Sequence, residues 1–112
     1  MSASNADIVL AQLKCYREQD VGACERLLAD DFRFTSPQDD RIGKATYLER
    51  CFPTADRFID HRLLELVEVD QETVLIRYEY ELVGGSRYRN MEAIAVRDGQ
   101  ISEVQVYFGG SV

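Results

Sequence analysis

The sequence predicts an α+β domain in which helices gather on one face of a curved antiparallel sheet. Three observations carry this. Apolar residues recur at helical spacing up to about residue 57 and alternate at strand spacing afterwards. Turn signals break the second half at Asp70-Gln71, Gly84-Gly85-Ser86 and Asp98-Gly99. The resulting element order, ααβα followed by ββββ, segregates helices from strands along the chain. Residues 1–112 read as a single domain, with no internal repeat, low-complexity segment or linker.

Ser4 suits the cap of a first helix reaching about residue 19, with Ala6, Val9, Leu10, Leu13 and Tyr16 on one stripe. Asp20 suits the cap of a second, with Val21, Cys24, Leu27 and Leu28 inward. Residues 31–36 alternate like a short strand, and 37–40 (Pro-Gln-Asp-Asp) read as a turn. Gly43 opens a third helix that buries Tyr47, Leu48, Cys51 and Phe52 and is stopped by Pro53. Strands are expected over about 59–69, 73–83, 87–97 and 101–108, with Asp98-Gly99 as a tight hairpin.

The chain of 112 residues carries 13 Lys+Arg against 20 Asp+Glu, a net charge of −7. An acidic surface repels phosphate backbones and anionic bilayers, so neither nucleic acid nor membrane is an expected partner. No stretch approaches the ~18 apolar residues of a membrane span, and no basic region precedes the short apolar run near the N-terminus. Cys15, Cys24 and Cys51 are odd in number and form no CxxC pair. They read as reduced thiols at core or boundary positions of a cytoplasmic protein. One histidine and no clustered thiols leave no expected metal site, and no phosphate-cradling glycine loop points to a cofactor.

Side-chain parity separates two faces of the sheet. Val74, Ile76, Tyr78, Tyr80 and Leu82 share one face of the second long strand. Tyr88, Asn90, Glu92, Ile94 and Val96 share one face of the third, and Val104, Val106 and Phe108 one face of the last. These apolar phases are the expected inner face. Glu92 breaks that lining, so it must be paired, protonated or facing a cavity, or else lie solvated at an open rim. The opposite phase mixes Arg77, Glu79, Glu81, Arg89 and Glu103 around Ala93 and Ala95. It suits either a solvated surface or a self-complementary dimer interface. His61 has no clear facing, because Leu63, Leu64, Leu66 and Val67 occupy both phases; a structural or exposed role is the expectation. Asp39 and Asp40 read as solvated turn residues, the alternative being that one of them serves as a base.

The order and spacing of several segments resemble the nuclear transport factor 2-like superfamily, which includes ketosteroid isomerases and SnoaL-like polyketide cyclases. They are Tyr16 to Asp20, Leu27 to Phe32, Phe34 to Pro37, Gly43 and Arg97 to Gly109. The resemblance spans nearly the whole chain and implies a cone-like curved sheet wrapped around three helices, a deep apolar pocket and a homodimer. It implies an inner carboxylate at Glu92. Where the isomerases hold a general-base aspartate this chain has Ser36, and where they hold a donor tyrosine it has about Gln12, with Tyr16 one turn on. Arg89-Asn90-Met91 lacks the arginine-x-aspartate pair of related epoxide hydrolases.

The expected function is therefore a pocket for a small apolar or cyclic ligand. Any catalysis would be cofactor-independent isomerisation, cyclisation or dehydration, with Glu92 as acid or base. Tyr16, Tyr78, Tyr80 or Tyr88 would donate hydrogen bonds. Gln12, Ser36, Asn90, Val104, Val106 and Phe108 complete the expected lining. The alternative is a non-catalytic ligand-binding or dimerisation module.

Overall fold

The computed structural model describes residues 4–112. Ser4 caps α1 (Asn5–Glu18) in a capping box, its hydroxyl accepting from the Asp7 amide while the Asp7 carboxylate accepts from the Ser4 amide. Asp20 caps α2 (Val21–Leu27) by accepting from Ala23 N–H. β1 (Leu28–Ser36), β2 (Asp39–Gly43) and α3 (Lys44–Arg50) follow, then a 3₁₀ turn (Phe52–Arg57). The chain continues as β3 (Phe58–Glu68), β4 (Thr73–Leu82), β5 (Arg87–Arg97) and β6 (Gln100–Ser111). The six strands form one unclosed sheet in the order β2-β1-β6-β5-β4-β3.

The α+β arrangement with three helices against a curved sheet holds, and five local expectations change. The sheet is mixed, because β1 runs parallel to β6 while every other neighbour is antiparallel. β1 begins at Leu28, directly from α2, since Leu28 and Ala29 are already buried there. Asp39 and Asp40 begin β2, leaving only Pro37 and Gln38 in the turn. Pro53 enters the 3₁₀ turn, where its missing N–H costs nothing. β6 continues to Ser111, three residues past the expected end.

The inward stripe of α1 is also rotated. Ile8, Val9, Gln12, Leu13 and Cys15 are buried, whereas Leu10 is 45% exposed, as is Val21 of α2 at 51%. Fully buried Val9, Cys24, Leu28, Phe32, Val74, Ile76, Ile94 and Ile101 form the centre of the core between helices and sheet. Cys15 and Cys24 belong to it, Cys51 lies at its edge, and all three are free thiols. The Asp98-Gly99 hairpin has positive φ at both residues (53° and 77°), the geometry of a type I′ turn. On the outer face Arg77 reaches Glu65, and Arg87 lies 3.9 Å from Glu79. Asp31 pairs with Arg97 at 2.7 Å. Among the described residues no helix is long and apolar enough to cross a membrane.

Candidate active site

Alternation along β4 and β5 places Tyr78, Tyr80, Asn90 and Glu92 on the concave face, in register as Tyr78↔Asn90 and Ile76↔Glu92. β6 supplies Val106 opposite Glu92 and Phe108 opposite Asn90. α1, α3 and the 3₁₀ turn cover this face at one end, leaving an open cavity of about 700 Å³. Gln12, Tyr16, Ser36, Tyr78, Tyr80, Asn90, Glu92, Val104, Val106 and Phe108 all line it. Tyr88 does not. It lies farther along β5, with Tyr80 and Phe108 rings flanking it at 5.8 and 5.7 Å, so those rings meet the cavity in its place.

Inside the cavity the hydrogen bonds form a directed chain. Asn90 Nδ2 donates to the Tyr78 hydroxyl at 3.2 Å, and that hydroxyl donates to Glu92 Oε2 at 2.6 Å. Burial lifts the Glu92 carboxyl from its ordinary 4.5 to about 6, with the Tyr78 hydrogen bond acting the other way. Burial likewise pushes the Tyr78 phenol well up, and the Glu92 charge adds to it. The Tyr78 proton therefore stays on its phenol while Glu92 titrates. The imidazole of His61 stacks on Tyr78, with centroids 4.5 Å apart and planes at 26°. Burial lowers its affinity for a proton, and the Arg17 charge adds to this, so it is neutral around pH 7.

Tyr16 does not reach Glu92. Its hydroxyl shares a 2.9 Å hydrogen bond with Thr54, because α1 lies over the 3₁₀ turn at this point. Gln12, 7% exposed, donates to the Tyr47 hydroxyl at 3.3 Å. Ser36 has a partner that a solvated turn would not provide: its hydroxyl donates to Asp39 Oδ2 at 3.1 Å. The Asp39 side chain is only 9% exposed and lies 3.1 Å from Arg50 Nη2 through Oδ1. The Cys51 thiol approaches the same carboxylate at 3.7 Å. Burial and Asp39 push that thiol up to about 11, which leaves it protonated and a poor nucleophile. Asp40, one residue on, is exposed.

Sequence reasoning left Tyr47, Asp39, Cys51, Thr54, Arg57 and His61 out of the lining, all of which belong to it. For His61 the cause is visible in the register. β3 carries irregularities between Phe58 and Asp60 and between Leu63 and Glu65, so its inward set is Phe58, His61, Leu63 and Leu66. Among the described residues no cluster of three or more His, Cys, Asp or Glu could hold a metal ion.

Residues 9–104 match the model of the SnoaL-like domain family. No curated protein sequence matches the chain. A nuclear transport factor 2-like protein of unknown function from Cytophaga hutchinsonii superposes with a TM-score of 0.80 at 19% identity, over 96% of this chain and 92% of that one. A protein provisionally described as a ketosteroid isomerase, from Kribbella flavida, gives 0.78 at 22% identity, over 94% and 77%. Another, provisionally described as a polyketide cyclase, from Pseudomonas putida, gives 0.74 at 18%, over 96% and 93%. At these identities the likeness establishes the fold.

Proposed function

We propose that this chain, which belongs to the SnoaL-like domain family, binds a small cyclic, largely apolar molecule and moves a proton on it through Glu92. The reaction would be a cofactor-independent isomerisation, cyclisation or dehydration. The observation that carries this reading is the hydrogen bond from Tyr78 to Glu92 inside a cavity lined by aromatic, aliphatic and polar side chains. A carboxyl near pH 6 can both accept and return a proton close to neutrality, where proton transfer is most effective. The bond to Tyr78 occupies Oε2 and fixes the carboxylate plane. In the proposed step a ligand C–H proton moves to Glu92, and the electron pair left behind spreads onto a conjugated oxygen. Glu92 then returns the proton at another carbon. The resemblance to proteins provisionally described as a cyclase and an isomerase supports this class of chemistry.

The pairing of Asp39 with Arg50 favours a second reading, a binding module without catalysis, because it ties up the other carboxylate of the lining. Ring opening of 5-nitrobenzisoxazole separates the two. A base removes its C3 proton, the C–H pair completes the nitrile, and the N–O bond breaks to leave a phenolate. A rate well above that of acetate, falling about 100-fold or more in Glu92→Gln, is the catalytic result. Equal rates for the two proteins, with ring compounds still bound, give the binding module.

We also propose that two copies pair through the outer sheet face. Met91 and Tyr107 are register neighbours there, 43% and 58% exposed, and the flanking charges of both signs are self-complementary in kind. Three free thiols support a cytoplasmic setting.

A further inference from the structure

We propose that the ligand carries an anionic oxygen group, such as a carboxylate, which Arg57 holds at the mouth of the cavity while the ring reaches inward to Tyr78 and Glu92. The inference rests on the reading of the cavity as a small-molecule site and adds the ligand's charge and orientation.

The charges lining the cavity do not follow the −7 of the whole chain. Five of its side chains can carry charge: Asp39, Arg50, Arg57, His61 and Glu92. Asp39 and Arg50 neutralise each other at 3.1 Å. His61 is held neutral by burial. Glu92 is hydrogen-bonded to Tyr78. Arg57 alone has no carboxylate within ion-pair distance among the described residues. Near neutral pH Glu92 carries the other unpaired charge of the lining but forms no ion pair with Arg57, which stands exposed at the edge of the cavity.

Arg57 is also held in place. Its Nε donates to the Thr54 carbonyl at 3.3 Å, and its guanidinium carbon lies 5.5 Å from the Phe58 ring centroid. These two contacts set the guanidinium plane, and the Tyr16 hydroxyl lies close enough to the guanidinium to hydrogen-bond with it. A fixed, planar donor pair is the geometry that takes a carboxylate through two parallel hydrogen bonds. The field of Arg57 is felt around the cavity, where it opposes the effect of burial on the Tyr16 and Tyr80 phenols and the Cys51 thiol. Tyr16 feels Arg57 and Glu92 with opposite sign, so it stands within the field of both. A ligand with its acid on Arg57 would pass Tyr16 on the way to Glu92.

The test compares two probes with one ring system: 2-naphthoate and 2-naphthalenemethanol. Both are titrated into the full chain at pH 7.5 and low salt. The anion is expected to bind about fivefold to tenfold tighter than the alcohol, and 0.5 M salt to narrow the gap. Arg57→Gln is expected to abolish the preference, the two probes then binding alike. Because Arg57 is exposed, the variant should melt with the wild type. Equal binding of the two probes, or a preference that survives Arg57→Gln, overturns the inference and leaves the cavity reading intact. Failure of both probes to bind overturns the cavity reading and the inference with it.

Discussion

The Tyr78 hydroxyl donates to Glu92 Oε2 at 2.6 Å, from a strand position two residues along from Glu92's own partner, Ile76. The contact is a diagonal one across two adjacent antiparallel strands, and it lies between groups that both feel burial strongly. Glu92 therefore keeps a carboxylate in the protein interior at neutral pH at some cost in stability.

That cost should appear as a pH dependence. The folded carboxyl titrates near 6 and the unfolded one near 4.5, so between them the folded state holds more proton and stability falls as pH rises. The shift corresponds to about 2 kcal/mol. Chemical denaturation at a series of pH values should show wild type losing that much relative to Glu92→Gln between about pH 4 and pH 7. Parallel curves would place Glu92 in contact with solvent.

Tyr78→Phe removes the one hydroxyl that favours the ionised form of Glu92. Carboxyl NMR should then place the Glu92 titration above 6. The destabilisation should be larger at pH 8 than at pH 4.5, of the order of 1–3 kcal/mol when the buried carboxylate loses its donor. A loss that is the same at both pH values would mean that only packing had changed.

Gly109 is closed to any side chain. A Cβ there would come within 2.9 Å of the Arg89 carbonyl oxygen and of Arg89 Cγ. The backbone contact cannot be relieved by a rotamer change, so Gly109→Ala should cost about 1–3 kcal/mol in thermal unfolding. It should also disturb the Arg89 hydrogen bonds to the Gly109 and Ser111 carbonyls. Gly85→Ala would strain a positive φ of 98° but meets no neighbouring atom, which makes it the control for backbone strain alone.

Pairing through the outer face predicts a sedimenting mass of twice 12.8 kDa. Met91→Lys should return the monomer mass without lowering the melting temperature of the monomer, because Met91 faces away from the core. A wild type that sediments as a monomer at high concentration would remove that surface from consideration.

Where the strands are regular, the chemistry was legible from residue order. The pairing of β4 with β5 has no irregularity, so alternation along the sequence alone puts Tyr78, Asn90 and Glu92 on one face. Where the period breaks, legibility ends. His61 lies between two irregularities of β3, and each moves the inward side chains by one position. Asp39 follows a proline and resembles a turn residue until β1 pairs Ser36 with it across the edge of the sheet. Arg57 depends on a 3₁₀ turn whose apolar spacing is neither helical nor alternating. The buried stripe of α1 lies a fraction of a turn from its expected direction, because Ile8 and Cys15 are buried and Leu10 is not, while Gln12 lines the cavity as expected.

The position of β6 between β1 and β5 has a consequence for how the molecule is made. Until Gln100–Ser111 is available, β2-β1 and β5-β4-β3 are two separate ribbons with nothing between them. Early and late parts of the chain must meet for the sheet to become continuous, as in Phe34↔Val104, a pairing of high sequence separation that is slow to form. During synthesis the nascent chain would present four open strand edges, two of them at β1 and β5, until β6 pairs between them. The wall that holds Val104 and Val106 arrives with that strand, so the cavity is complete only once β6 has paired.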